Sequence, residues 1–221
     1  MSYNGEEATF IVFDIETAPL LDAAEFLEPV EAPAHYKDPA KISAYLAEKQ
    51  AESLDKCALD VDLCRVVALG WQEEGHATEA VVVRHAVEEA EGLRAFWERC
   101  GHHHLVGFNC LAFDLPVLLR RSLYLGVQAP RIQIDRFKHA HVTDLLAELS
   151  YDGKLRMRSL AFYAKRFGLV RQQTVLSRTI PQAVAENRWE DIVWHVLDDV
   201  RVTVQLAKRM GFFRGEAENA V

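Results

Sequence analysis

Residues 11–17 read Ile-Val-Phe-Asp-Ile-Glu-Thr, an apolar, β-branched run interrupted by acids at alternate positions. Alternate residues of a strand point to one face, so Asp14 and Glu16 emerge side by side while Val12, Phe13 and Ile15 keep the character of a core. Burying two like charges together costs several kcal/mol unless something positive lies between them, and the usual compensator is a divalent cation. The run therefore reads as a buried strand that carries part of a metal site.

Two other segments offer ligands. Residues 107–118 read Gly-Phe-Asn-Cys-Leu-Ala-Phe-Asp-Leu-Pro-Val-Leu, which puts Asp114 at the entry of an apolar helix, just after a short strand over 105–107. Read without context, Asp114 is also a fair helix cap, with Pro116 helping the helix to start. Residues 189–206 read as one long helix with His195 and Asp199 four positions apart, hence on one face. Its neighbour Asp198 is expected to be a plain surface acid.

Phe13-Asp14-Ile15-Glu16-Thr17, then Asn109 ahead of Phe113-Asp114, then His195 ahead of Asp199-Val200 resembles the three-motif pattern of the DEDD 3′-to-5′ exonucleases. Within that superfamily the chain is most similar to stand-alone relatives of the proofreading domain of family-B DNA polymerases, over about residues 8–210. The segment 144–169, with Ser159-Leu160 opening a helix and Phe167-Gly168-Leu169 closing it, resembles the stretch between the second and third motifs. One position departs from the pattern. The polymerase-type branch carries Tyr at the spacing that His195 occupies, and the branch that carries His uses a longer spacing.

The resemblance implies a single ribonuclease-H-like α/β domain, residues 1–210, with a mixed sheet of about five strands flanked by helices. It implies phosphodiester hydrolysis with two Mg²⁺ or Mn²⁺ ions, about 4 Å apart in sites of this kind. Asp14, Glu16 and Asp199 are expected to hold one ion and Asp14 with Asp114 the other. His195, with a reference pKa of about 6.5, is expected to take the proton of the attacking water. Thr17, Asn109, Phe113 and Arg158 are expected substrate contacts, Phe113 as a platform for the terminal base. The implied substrate is nucleic acid with a free 3′ end, single-stranded DNA foremost, and a polymerase or a replication or repair protein is a candidate partner in trans. RNA is the competing substrate, and a catalytically silent nucleic-acid-binding module is the competing class.

Coarse patterning, read with the resemblance as a guide, gives a matching element order. Strands are expected over 9–13, 66–71 and 80–84, with Gly75 in the turn between the last two. A helix with the apolar stripe Leu93, Phe96, Trp97 and Cys100 follows. Then come the strand of the second motif, a helix over 115–125, a short strand over 140–142 and a helix from Asp144. Residues 20–63 form an insertion whose first half Pro29, Pro33 and Pro39 make irregular, with a helix over 42–54. It either covers the substrate cleft as a lid or packs outside. Residues 211–221 are expected to fray.

The net charge of −8 runs against the basic excess usual in nucleic-acid binders. Metal ligands account for part of it, and bound cations reverse it locally. Between Lys154 and Arg178 the chain carries seven Lys and Arg with no acid after Asp152. That run either borders the cleft and holds phosphates or forms a solvated face. Cys57, Cys64, Cys100 and Cys110 show no metal or disulfide spacing and read as reduced core thiols of a cytoplasmic protein. No apolar run approaches the roughly 20 residues that span a bilayer. The triplet His102-His103-His104 is expected in a solvated turn, and the four tryptophans in packing roles.

Overall fold

The structure, a computed structural model, describes residues 9–132, 141–172 and 179–213. Strand β1 (Phe10–Pro19) lies at the centre of a five-stranded mixed sheet of order β3-β2-β1-β4-β5. It pairs antiparallel with β2 (Cys64–Glu73) and parallel with β4 (His104–Gly107). Outside these lie β3 (Glu79–Val82), antiparallel to β2, and β5 (Val142–Asp144), parallel to β4. This is the α/β architecture expected from the sequence. β1 runs well beyond Phe13, since its second half pairs with β2 all the way to Cys64.

The two faces of β1 bury different residues. Ile11, Phe13 and Ile15 join a cluster with Leu93, Phe96, Trp97 and Cys100 of α2 (Ala86–Cys100) and Leu115, Val117 and Leu118 of α3 (Asp114–Tyr124). Each of the larger side chains contributes about 1.5–3 kcal/mol on burial, so charge enters this layer only when it is paired. A buried ion pair ties the layer together. Glu89, 1 % exposed, accepts from Val66 N at 2.9 Å and from Arg121 Nε and Nη2 at 2.8 Å each. Amphipathic patterning alone places both charges at the surface; their mutual pairing is what lets them go inside.

The opposite face meets α7 (Trp189–Met210), which runs four residues past its expected end and stops at Gly211, a left-handed C-cap with φ 82°. Beyond it Phe213 is 4 % exposed, packed with Val12, Val106 and Val204, so the folded chain reaches at least that residue. Residues 214–221 of the expected tail lie outside the described residues.

In the insertion, α1 (Pro39–Cys57) is longer than the expected helix. Pro39 starts it instead of breaking the chain, because a proline in the first turn gives up no helical hydrogen bond, and the Asp38 carboxylate accepts from Ala40 N. The short α6 (Ile180–Ala185), which no sequence pattern announced, precedes α7. The helices α4 (Leu145–Ser150) and α5 (Leu160–Phe167) lie between β5 and Gly168. All four cysteines are buried and unbridged. Trp71 and Trp97 pack as expected, whereas Trp194 is 56 % exposed with Arg201 over its ring. The histidine triplet is also not simply a solvated turn: His104 begins β4, with Nε2 2.8 Å from Thr143 Oγ1. Among the described residues no helix is long and apolar enough to cross a membrane.

Candidate active site

Along the α7 side of β1, Val12 belongs to the apolar cluster of Val200 and Val204, and Ala18 to that of Ile192 and Val196. Asp14 and Glu16 fall between these two clusters. On α7, His195 and Asp199 fill the matching interval. Close approach of helix and sheet depends on Gly70, the antiparallel partner of Asp14. A Cβ there would come 2.9 Å from Val196 Cγ2 and 3.0 Å from Val200 Cγ2, closer than packed carbons tolerate.

The result is a compact polar cluster. His195 Nε2 lies 3.3 Å from Glu16 Oε1 and 3.8 Å from Asp199 Oδ2. One ligand atom from each of these three residues lies within 4.8 Å of the others. Asp114 arrives from the first turn of α3. It does not cap that helix; its Oδ1 accepts from Ile15 N across the sheet at 3.3 Å, which fixes the second motif against the first. Asp14, Glu16, Asp114 and Asp199 all line one cleft of about 730 Å³.

The electrostatics show why this cluster wants a cation. Burial, then the charges of Asp114, Glu16 and Asp199, hold the Asp14 carboxyl well above its usual range. Glu16 is raised in the same way, first by burial and then by Asp199 and Asp114. Asp114 is pushed up to about 7 and Asp199 to about 6, both chiefly by burial. Burial first, then the nearby Arg171, pushes the His195 imidazole down to about 4. The imidazole is therefore neutral at pH 7, well below its reference value of about 6.5, and it contributes no positive charge. An almost all-oxygen donor set whose members raise one another suits a hard divalent cation such as Mg²⁺ or Mn²⁺.

The expected substrate contacts separate into groups. Phe113 lines the cleft. Thr17 lines it too, but its hydroxyl donates to Ala58 O at 2.6 Å and so moors the end of α1 to β1. Asn109 takes a positive φ of 63°, and its backbone N–H donates to Asp144 Oδ1 at 2.9 Å, which shapes the loop before Asp114. Arg158 is exposed, with its guanidinium 4.9 Å from the Phe162 ring centroid, and is not a cleft residue. Lys154, Arg156, Lys165 and Arg166 are exposed as well, and none of them lines the cleft. Arg178 lies outside the described residues.

Three features went unread in the sequence. Asp144 gathers the amides of Asn109, Leu111, Leu146 and Ala147 onto one carboxylate, so it organises the second motif without touching the cleft. The insertion, which the sequence left as a cover or as outside packing, puts Glu52, Asp55, Lys56 and Leu59, none of them singled out beforehand, on the lining of the cleft. Asp198 is 3 % exposed, against the expectation of a surface acid. It accepts from Gln172 N at 2.7 Å, because a segment that crosses α7 covers it. That same segment sends Arg171 onto Asp199.

A single mixed sheet with four carboxylates converging from three motifs defines a nuclease-like α/β domain. A family profile described as predicted 3′-5′ exonucleases related to the exonuclease domain of PolB matches residues 58–220, and the chain belongs to that family. Among solved structures it is similar to the family B DNA polymerase from the hyperthermophilic archaeon Pyrobaculum calidifontis, with TM-score 0.61 and 18 % identity. The match covers 95 % of this chain and 25 % of the polymerase, so the chain spans about a quarter of that protein's length. No curated protein matches in sequence.

Proposed function

We propose that this cleft removes nucleoside 5′-monophosphates from the 3′ end of a polynucleotide, single-stranded DNA first among its substrates, with two divalent ions, Mg²⁺ or Mn²⁺. The observation that carries the reading is the convergence of Asp14, Glu16, Asp114 and Asp199 on one cleft wall in a chain of this family. Asp14, Glu16 and Asp199 would hold one ion and Asp14 with Asp114 the other, supplying charge neutralisation at the phosphate and a water of lowered pKa.

The chain's own residues do the rest. His195, 2 % exposed and neutral, sits behind Glu16 and Asp199 with Nε2 directed at both. From there it holds the two carboxylates in register and offers a proton site at Nε2 next to them. Phe113 offers an aromatic face to the terminal base, which must be unpaired to reach it, and this favours single strands. Thr17 keeps the α1 wall against β1, and Asn109 keeps the loop that delivers Phe113 and Asp114. Arg158, exposed and outside the lining of the cleft, would touch the substrate only if the strand extends to it. A polymerase or repair protein acting in trans and a cytoplasmic setting, consistent with four buried, unbridged cysteines, complete the proposal.

The test is degradation of matched DNA and RNA oligonucleotides, single- and double-stranded, in Mg²⁺ and in Mn²⁺. Single-stranded DNA should be shortened fastest. Faster loss of RNA would move the substrate assignment, and no loss of any substrate would overturn the activity.

A further inference from the structure

We propose that Arg171 is a tethered phosphate-binding residue of this site, parked on Asp199 while the metals are absent and freed for the substrate when they bind. This rests on the nuclease reading above. Its basis is the way residues 170–172 are fastened to α7. Gln205 donates from Nε2 to Val170 O and accepts at Oε1 from Val170 N, both at 3.0 Å, so one side-chain amide clamps both backbone groups of that residue. Seven residues earlier, and so on the same side of the helix, Asp198 accepts from Gln172 N at 2.7 Å. The backbone on both sides of Arg171 is thus pinned, and only its side chain remains to choose a partner.

That side chain reaches into the carboxylates. Arg171 Nη2 donates to Asp199 Oδ1 at 2.5 Å, and Nε lies 3.4 Å from Asp198 Oδ2 without making a hydrogen bond to it. The short, charge-assisted bond is therefore the one to Asp199. Asp199 is also the carboxylate that a divalent ion needs, together with Glu16. Guanidinium and metal would compete for the same carboxylate, and the metal carries the larger charge.

Once displaced, the guanidinium stays within a side chain's reach of the cleft, because Gln205 and Asp198 hold its backbone in place. The anion then available is the phosphodiester that enters the cleft. A guanidinium is suited to phosphate through its planar, two-pronged donors. Of the six cations between Lys154 and Arg171, the other five are exposed and do not line the cleft, whereas Arg171 is paired with Asp199, so we assign this role to Arg171.

The experiment measures Mn²⁺ binding by calorimetry, and then thymidine 5′-monophosphate binding at saturating Mn²⁺, for wild type, Arg171→Met, Arg171→Lys and Gln205→Ala. Thermal melting in EDTA runs alongside. Arg171→Met should bind Mn²⁺ roughly tenfold more tightly, since its competitor is gone, and the nucleotide roughly tenfold more weakly. It should melt lower than wild type in EDTA, because Asp199 has lost its counter-ion. Arg171→Lys should recover part of each change, and Gln205→Ala should weaken nucleotide binding with the guanidinium still present. Unchanged or weaker Mn²⁺ binding in Arg171→Met overturns the parking on Asp199, and unchanged nucleotide affinity overturns the phosphate role. Wild-type protein that binds no Mn²⁺ and shortens no oligonucleotide overturns the nuclease reading itself, which separates the two failures.

Discussion

His195 Nε2 lies 3.3 Å from Glu16 Oε1, so the last helix and the first strand meet through a histidine and a carboxylate that are both almost fully buried. The imidazole is held down to about 4 and the carboxyl is held up, each mainly by burial, so both charged forms are disfavoured and a cation nearby would favour the carboxylate alone. His195→Ala should lower the hydrolysis rate by on the order of 10²-fold, the lower end of the share of a proton-handling group. His195→Tyr should recover part of that loss. Because the imidazole is already neutral above about pH 4, His195 adds no acid limb to the rate profile near pH 6.5. A limb there that vanishes in His195→Tyr would show that the imidazole titrates in the working range.

Replacing any one of Asp14, Glu16, Asp114 or Asp199 by Ala should remove about 10³-fold or more of the activity, since several kcal/mol of transition-state stabilisation go with a metal ligand. The same variants should keep the fold; in EDTA, Asp14→Ala and Glu16→Ala should melt no lower than wild type, because each removes one of a set of repelling charges, whereas Asp114→Ala and Asp199→Ala also give up the bond to Ile15 N and the pair with Arg171 and should melt lower. Rates and EDTA melting curves, measured together, check both halves.

Asp198→Ala is expected to behave differently. It removes the acceptor of the part-buried Gln172 amide, a hydrogen bond of about 0.5–1.5 kcal/mol, and it releases the segment that carries Arg171. Chemical denaturation should show the loss of stability, with a severalfold fall in activity. A variant as stable as wild type would mean that the segment is not fastened there.

The raised carboxyls fix the sign of the pH dependence of the metal-free protein. Asp114 titrates at about 7 and Asp199 at about 6 in the folded chain, against about 3.9 for an unfolded aspartate. The unfolded state therefore releases these protons first, and stability falls as pH rises through the window from about 4 to 7. His195, lowered to about 4, works the other way, losing stability as pH falls below about 6.5. The carboxyls outnumber it, so in EDTA the protein should melt higher at pH 5.5 than at pH 7.5, and Asp114→Asn should flatten that slope. Added Mn²⁺ should raise the melting temperature more at pH 7.5 than at 5.5, since binding needs the ionised forms.

Gly70→Ala tests the seat of α7. A methyl group 2.9 Å from Val196 Cγ2 must displace the Val196 and Val200 side chains or the helix that carries them, at a cost of about 1–3 kcal/mol for overpacking. His195 and Asp199 move with the helix, so activity should fall by more than the stability loss explains. Unfolding curves and rates on the same variant separate the two effects.

How much of this was legible beforehand depends on the range of the interaction. Asp14 and Glu16 stand out because a period of two inside an apolar run is a local signal, and Asp199 because it shares a helix face with His195. Asp198 was misread for the same reason. Helical periodicity tells which way a side chain points, not whether a distant segment will lie across it, and residues 170–172 do. Arg171 was one cation among seven in a basic run, with no local mark to separate it from exposed neighbours. The Glu89–Arg121 pair was hidden likewise, since two charges on amphipathic helices read as solvent-facing until their partners are known. Asp144 read as a helix start, which it is, but the motif-two amides it also collects come from residues far along the chain.

The central claim is that the four carboxylates make a metal-dependent enzyme that works inward from a 3′ end. The most direct measurement follows a 5′-labelled single-stranded DNA oligonucleotide over time in Mn²⁺, with wild type and with Asp14→Asn. The predicted result is a ladder that shortens one nucleotide at a time from the 3′ end with wild type, abolished by EDTA and by Asp14→Asn. Immediate release of a labelled mononucleotide, a few internal cuts, or a ladder that persists in EDTA would contradict it.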